Sequence, residues 1–189
     1  MLEIAEKLKD VVTPYSIKFI AFGAEEVGLR GSLHYVNEMT QAEKDNTVLM
    51  VNLDSLVAGD VMYAYGSAGN KGFARDLALD IAKRKNLNVI TNPGHNPRYP
   101  AGTQIPNASD NEYFDRAGIP YLYFEATNWD LGAKDGYTQT VKEGSIWHTP
   151  KDSLEYIENA FPGRIATRLN TFTVLLKDVL TTLDSTHIR

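Results

Sequence analysis

Apolar positions recur along this chain with two periods, and the alternation between them sets out the elements. Leu2, Ile4, Ala5 and Leu8 fall on one stripe of a helix over residues 2–10, and Pro14 stops it. Ile17, Phe19, Ile20 and Phe22 make a short β-branched and aromatic run, which predicts a strand over 17–22. That run breaks at Gly23. After Gly28 and Gly31 a helix over 28–39 follows, with Leu29, Leu33 and Val36 on one face. Thr40 and Glu43 have capping-box spacing and predict a short second helix. Residues 47–53 read as a buried strand ending at Asp54, and 61–65 as another strand. Phe73, Leu77, Ile81 and Ala82 line a helix over 69–85, and a short strand follows at 88–91. Residues 109–112 can cap a short helix that runs through Phe114. Gly118 and Pro120 turn the chain into a strand over 121–125. Ile165, Leu169, Phe172, Leu176, Val179 and Leu183 mark a last helix over 163–183.

Strands alternating with helices predict an α/β sandwich, a sheet with helices on both faces. Two stretches stand outside the pattern. Residues 92–108 are rich in Pro and Gly, and 126–145 are polar and Gly-containing. Loops of that length in a compact domain shape binding sites or move. No repeat, low-complexity stretch or linker divides the chain, so residues 1–189 read as one domain. Hydrophobic content of 43% and charged content of 23% are ordinary for a globular protein. The net charge of -5 gives no electrostatic footprint for nucleic acid or an anionic membrane. No run is long enough to span a bilayer. Cys is absent, which excludes disulfides, thiol catalysis and thiolate metal sites. A metal would be held by His and carboxylates, which suits zinc, manganese or cobalt.

The chemistry gathers just after apolar runs. Glu25 and Glu26 stand side by side past the first strand, Asp54 past the second, and His148 near the end of the polar stretch. Adjacent carboxylates repel unless both are solvated or a cation holds one. A metal satisfies that demand, with one Glu as ligand and the other free as a base. Singly, each has a plainer reading: an acidic turn, a turn aspartate, a loop histidine. His34 reads as an exposed helix residue, His95 as a loop residue that is solvated or touches substrate, and His187 as a tail residue. The helical His-Glu-x-x-His zinc motif is absent.

Taken together, the blocks resemble a family. They are residues 23–32 (Gly-Ala-Glu-Glu-Val-Gly-Leu-Arg-Gly-Ser), Asn52-Leu53-Asp54, Ser109-Asp110 with Phe114 and residues 117–120 (Ala-Gly-Ile-Pro), and His148-Thr149 with Asp152. In this order they are similar to the two-zinc aminopeptidases of the aminopeptidase Y and aminopeptidase S type, along nearly the whole chain. The resemblance implies a three-layer α/β zinc-peptidase fold and release of N-terminal amino acids from a peptide substrate. It implies Glu25 as general base, Glu26 and His148 as ligands of one zinc, and Asp54 as a ligand of the other. Relatives place a Tyr donor just before the ligand His. Here the position is Trp147, which can donate through its indole N–H or simply pack. Asp152 either orients His148 or caps the following helix, since Asp152 and Glu155 have capping-box spacing. Tyr99, Trp129 and Tyr137 suggest an apolar lining for the pocket of the first side chain.

The family also needs a His-x-Asp motif and a bridging Asp upstream of the first helix, and neither has a counterpart in this sequence. The resemblance therefore implies a domain truncated at its N-terminus, with its carboxy-terminal portion present. It implies fewer than the two zinc ions of a complete site, weak metal binding and impaired activity. Missing early strands predict an exposed sheet face or edge and self-association through it. Relatives are commonly secreted, so an extracellular parent is expected. Two other readings share these residues: a glutaminyl cyclase, which Trp147-His148-Thr149 resembles, and a non-catalytic interaction module like transferrin-receptor ectodomains.

Overall fold

A computed structural model describes residues 1–106, 108–184 and 186; Asn107, Ser185 and residues 187–189, His187 among them, lie outside the described residues. Helix α1 (Leu2–Leu8) is followed by α2 (Arg30–Glu38), α3 (Gln41–Asn46), strand β1 (Met50–Leu53) and strand β2 (Val61–Gly66). A 3-10 turn over Gly69–Gly72 feeds α4 (Phe73–Arg84), and β3 (Val89–Ile90), α5 (Asn111–Arg116), β4 (Tyr121–Thr127), α6 (Leu154–Ala160) and α7 (Arg164–Thr182) complete the order. The strands form one mixed sheet in the order β1-β4-β2-β3. β1 runs parallel to β4, β2 antiparallel to β4, and β2 parallel to β3.

Alternation along the two central strands gives the sheet two unlike faces. Met62 and Ala64 of β2 and Leu122, Phe124 and Ala126 of β4 pack against α1, α4 and α7. Tyr63 and Tyr65 of β2 and Tyr121 and Tyr123 of β4 pack on the opposite side, with Val36 of α2, Phe114 of α5 and Trp129. The three layers are thus α1/α4/α7, the sheet, and α2/α5. The capping box of α3 is formed as its spacing predicts: Thr40 Oγ1 accepts from the Glu43 amide, and the Thr40 amide donates to Glu43 Oε2 at 2.8 Å.

The run over 17–22 is extended but forms no strand. Ile17 packs with the α1/α4/α7 layer and Phe22 with the α2/α5 layer, the alternation of a strand. Yet among the described residues no backbone hydrogen bond joins this segment to a neighbour. Periodicity fixes which way side chains point, whereas a strand also needs a partner to complete the ladder. β1 is shorter than expected, starting at Met50, and β4 runs two residues further, to Thr127. Leu2, expected inward, is exposed, and Ile4 and Leu8 carry the buried side of α1. Both sheet faces are covered by helices, so the expected exposure is confined to the edges. Among the described residues no helix is long and apolar enough to cross a membrane.

Candidate active site

The segment with the paired glutamates folds back on its own backbone. The amides of Gly28 and Leu29 donate to the Glu25 carbonyl at 3.0 and 2.9 Å. Arg30 and Gly31 donate to the carbonyls of Ala24 and Gly23, both at 3.1 Å. This closure brings the Gly31 Cα against the Gly23 carbonyl, where any Cβ would collide. Phe22 anchors the loop by packing on the rings of Tyr35 and Phe114. The two carboxylates are thereby held at the mouth of a cavity of about 230 Å³.

Asp54 reaches the same cavity from the carboxyl end of β1. Leu53 pairs with Phe124 in the parallel ladder, so Asp54 stands level with Glu125 of β4. That is where open α/β sheets place ligands, past the carboxyl ends of parallel strands. The Asp54 carboxylate accepts from Ser109 Oγ at 2.7 Å and from Ser55 Oγ at 3.3 Å. Ser109 Oγ in turn accepts from Asn52 Nδ2 at 2.7 Å. Ser109, expected as part of a helix cap, instead orients Asp54; α5 begins at Asn111, and its N-cap Asp110 makes no side-chain cap bond.

His148 arrives from the third segment. Its Nε2 lies 3.3 Å from Glu26 Oε2, with both side chains largely exposed. Its backbone amide donates to Asp152 Oδ2 at 3.4 Å. The cap of α6 is Ser153, whose hydroxyl accepts from the Tyr156 amide at 3.1 Å. Asp152 therefore does not cap the helix; it braces the His148 backbone. Trp147 packs among Ala58, Ile146 and Ile157 and lines the cavity, and its buried Nε1 has no hydrogen-bond partner among the described residues.

Of six non-glycine residues with positive φ among the described residues, three fall at the same places. Ala24, Ser55 and His148 have φ of 58°, 51° and 57°, in the left-handed region that residues with a Cβ seldom adopt. Each adjoins or is one of the four candidate residues. Such conformations persist where the surroundings over-determine them, and they cluster at functional sites.

Burial pushes the Glu25 carboxyl up to about 7, helped by the negative charges of Asp54, Glu26 and Asp110 and opposed by His148. A carboxyl with that affinity can take and return a proton near neutral pH. Glu125 was not among the residues expected to matter, and burial pushes it to about 7 as well. Its signal was present: a lone acid closing an apolar strand, the same pattern that singled out Asp54. Gln104 and Tyr123, also at the cavity, carried no comparable mark. Of the three aromatics expected to line the pocket, Tyr137 does so, whereas Trp129 is fully buried and Tyr99 packs on it. His34 is exposed, and His95 pairs with Asp130 at 2.8 Å, away from the cavity lining.

The model of Peptidase family M28 matches residues 1–173, and the chain belongs to that family. The Escherichia coli K12 protein described as alkaline phosphatase isozyme conversion protein is 43% identical over 178 residues, covering 89% of this chain and 51% of that protein. Aminopeptidase YwaD of Bacillus subtilis 168 is 32% identical over 161 residues, covering 83% of this chain and 31% of that protein. Among solved structures, BSAP, a zinc aminopeptidase from Bacillus subtilis, superposes with a TM-score of 0.67 at 26% identity. The match covers 94% of this chain and 38% of that one. An aminopeptidase from Aneurinibacillus sp. strain AM-1 superposes at 0.55 with 26% identity, covering 92% and 36%. The fold is thus the α/β fold of zinc aminopeptidases, and the chain spans about half the length, or less, of these relatives.

Imidazole and carboxylate are suitable donors for zinc, but their number here falls short. Among the described residues, no three His, Asp or Glu side chains come close enough together to hold a metal ion. Glu26 and His148 form a pair, and the Asp54 carboxylate accepts hydrogen bonds from Ser109 and Ser55. Tight zinc sites take three or four protein ligands. The donors in this chain do not by themselves make up a zinc site.

Proposed function

We propose that this chain carries part of the catalytic machinery of a metallo-aminopeptidase that releases N-terminal residues from peptides. The observation that carries this reading is the convergence of Glu25, Glu26, Asp54 and His148, from three separate segments, on one cavity at the carboxyl end of the sheet. Family membership and zinc aminopeptidase relatives support the reaction class. Glu25 is the general base. Its carboxyl, raised by burial among like charges, accepts a proton from water and passes it to the departing amine. Glu26 and His148 would be donors toward one metal and Asp54 toward another, with Asp152 bracing the His148 backbone and Ser109 the Asp54 carboxylate. The free Nε1–H of Trp147 is a donor for oxygen charge developing at the scissile carbonyl. Since the donors are few, metal is held weakly and turnover is slow.

Elemental analysis and zinc titration test the last point: at most one weakly held zinc per chain is expected, and two tightly held ions overturn it. For the activity itself, leucine p-nitroanilide is the probe, with zinc added. Zinc-dependent cleavage that falls about 10²- to 10⁴-fold in Glu25→Gln is the expected result. Failure of the wild-type chain to cleave, or an unchanged rate in the variant, rejects the assignment. One observation favours a second reading on the same residues. Trp147 directly before His148, with its indole N–H unpartnered, also suits a glutaminyl cyclase, and cyclisation of an N-terminal glutamine peptide separates the two.

A further inference from the structure

Glu125 is a buried carboxylate whose described hydrogen bonds and ion pairs include no cation. It sits on the tyrosine face of β4, paired with Tyr63 of β2 and level with Asp54, and only 4% of it is exposed. Its Oε1 accepts from Gln104 Nε2 at 2.9 Å and from Tyr123 Oη at 3.1 Å. Its Oε2 accepts from Tyr65 Oη at 2.7 Å, and that hydroxyl accepts from Trp129 Nε1 at 2.7 Å. All of these donors are neutral. Two other acids that lie partly buried have a cation at hand: Asp60 pairs with Arg164 and Glu143 with Lys151. Carboxylates as buried as Glu125 are ordinarily paired with a positive group or a metal.

A purely architectural role explains the four-residue network but not the choice of an acid. A neutral acceptor would tie Tyr65, Tyr123 and Gln104 together without the cost of burying a charge. Glu125 also lines the cavity, whose other walls include Glu25, Asp54 and Asp135 and, among the described residues, no Lys or Arg. The volume of about 230 Å³ lies below the roughly 300–1,000 Å³ of drug-sized pockets, so the space suits one residue-sized group. We infer that Glu125 is the cation-recognition residue of this cavity, receiving an ammonium or guanidinium group of the ligand's first residue. Its neutral donors fix both oxygens in place, and the entering cation supplies the charge that the protein withholds. The inference rests on the aminopeptidase reading only for the source of the ligand.

Calorimetric binding to the purified chain tests it with three amides. N-acetyl-lysinamide carries only a side-chain ammonium, leucinamide only a backbone ammonium, and N-acetyl-leucinamide neither. At least one ammonium probe should bind about tenfold tighter than the neutral amide, and the tighter one identifies the source of the cation. Glu125→Gln should abolish that preference while Asp135→Asn retains it. A wild-type chain with no preference, or a preference that survives Glu125→Gln, overturns the inference. If the variant does not fold, the wild-type carboxyl ¹³C resonance of Glu125 decides. Movement with the ammonium probe alone is the expected result, and equal movement with the neutral amide overturns it. Peptidase failure with ammonium binding intact rejects the proposed activity and leaves this inference standing, and cleavage without charge preference does the reverse.

Discussion

The two faces of the central sheet are made by the same two strands and serve different ends. On the α1/α4/α7 side, β2 and β4 present Met62, Ala64, Leu122, Phe124 and Ala126, and α4 answers with Ala74, Ala78 and Ala82. Nothing there needs a hydrogen bond, and small residues let helix and sheet approach closely. On the α2/α5 side, one residue along each strand, stand Tyr63, Tyr65, Tyr121, Tyr123 and Glu125. Each carries a polar tip that must find a partner, and the partners are one another, Trp129 and Gln104. The first face supplies burial. The second trades some of that for an ordered polar network that ends in the cavity. A single sheet thus separates stability from chemistry by strand alternation alone.

The largest effect is expected from a deletion on the apolar face. Leu175→Ala of α7, at a position with no exposure, should lower unfolding stability by about 2–5 kcal/mol in chemical denaturation. Binding of the amide probes by the protein that remains folded should be unchanged. A loss of binding larger than the unfolded fraction explains would show that the faces are coupled.

The tyrosine face should show itself in pH dependence. Burial raises Glu125 to about 7 from its ordinary 4.5, so between those values the folded chain holds a proton that the unfolded chain releases. Stability contributed by the neutral form is full below pH 4.5 and lost as pH rises through 7, by up to about 3 kcal/mol in metal-free protein. The groups around it are the hydroxyls of Tyr65 and Tyr123, the amide of Gln104 and the Asp54 carboxylate. Glu125→Gln should flatten this part of the profile of melting temperature against pH. An unchanged slope would assign the effect to other groups.

A smaller effect is expected from Tyr65→Phe, which removes one donor to Glu125 and the acceptor of Trp129 Nε1. Leaving such groups unpaired costs about 1–3 kcal/mol. The ring stays, stacked on Tyr63. Trp129 fluorescence should shift on losing its hydroxyl partner, and an unaltered spectrum would show that the hydrogen bond is not kept in solution.

Much of the architecture was legible in local pattern. The periodicity over 73–84 and 164–182 placed α4 and α7 with most of their inward residues, and the Thr40–Glu43 spacing gave the capping box of α3. Leu169 was the exception, exposed although it falls on the apolar stripe of α7. Glu25, Glu26, Asp54 and His148 each had a plainer reading singly, and were identifiable because their blocks, taken together in order, resemble one family. The segment 17–22 misled because alternation reports only one side of what makes a strand. The roles of Ser109 and Asp152 misled because their spacing satisfied a capping rule, while their side chains were engaged by Asp54 and by the His148 backbone.

Neighbours along the chain thus settle the helix faces, the caps, the glycines that let the loop over 23–31 close, and the acids and histidine available for chemistry. The rest depends on contacts between residues far apart in the chain. The register of β1 against β4 sets Asp54 beside Glu125, and Ser109 reaches across 55 residues to hold Asp54. Tyr65 and Gln104 enclose Glu125 from separations of 60 and 21 residues. Burial, which raises both Glu25 and Glu125, is a property of everything packed around them, and no local pattern encodes it.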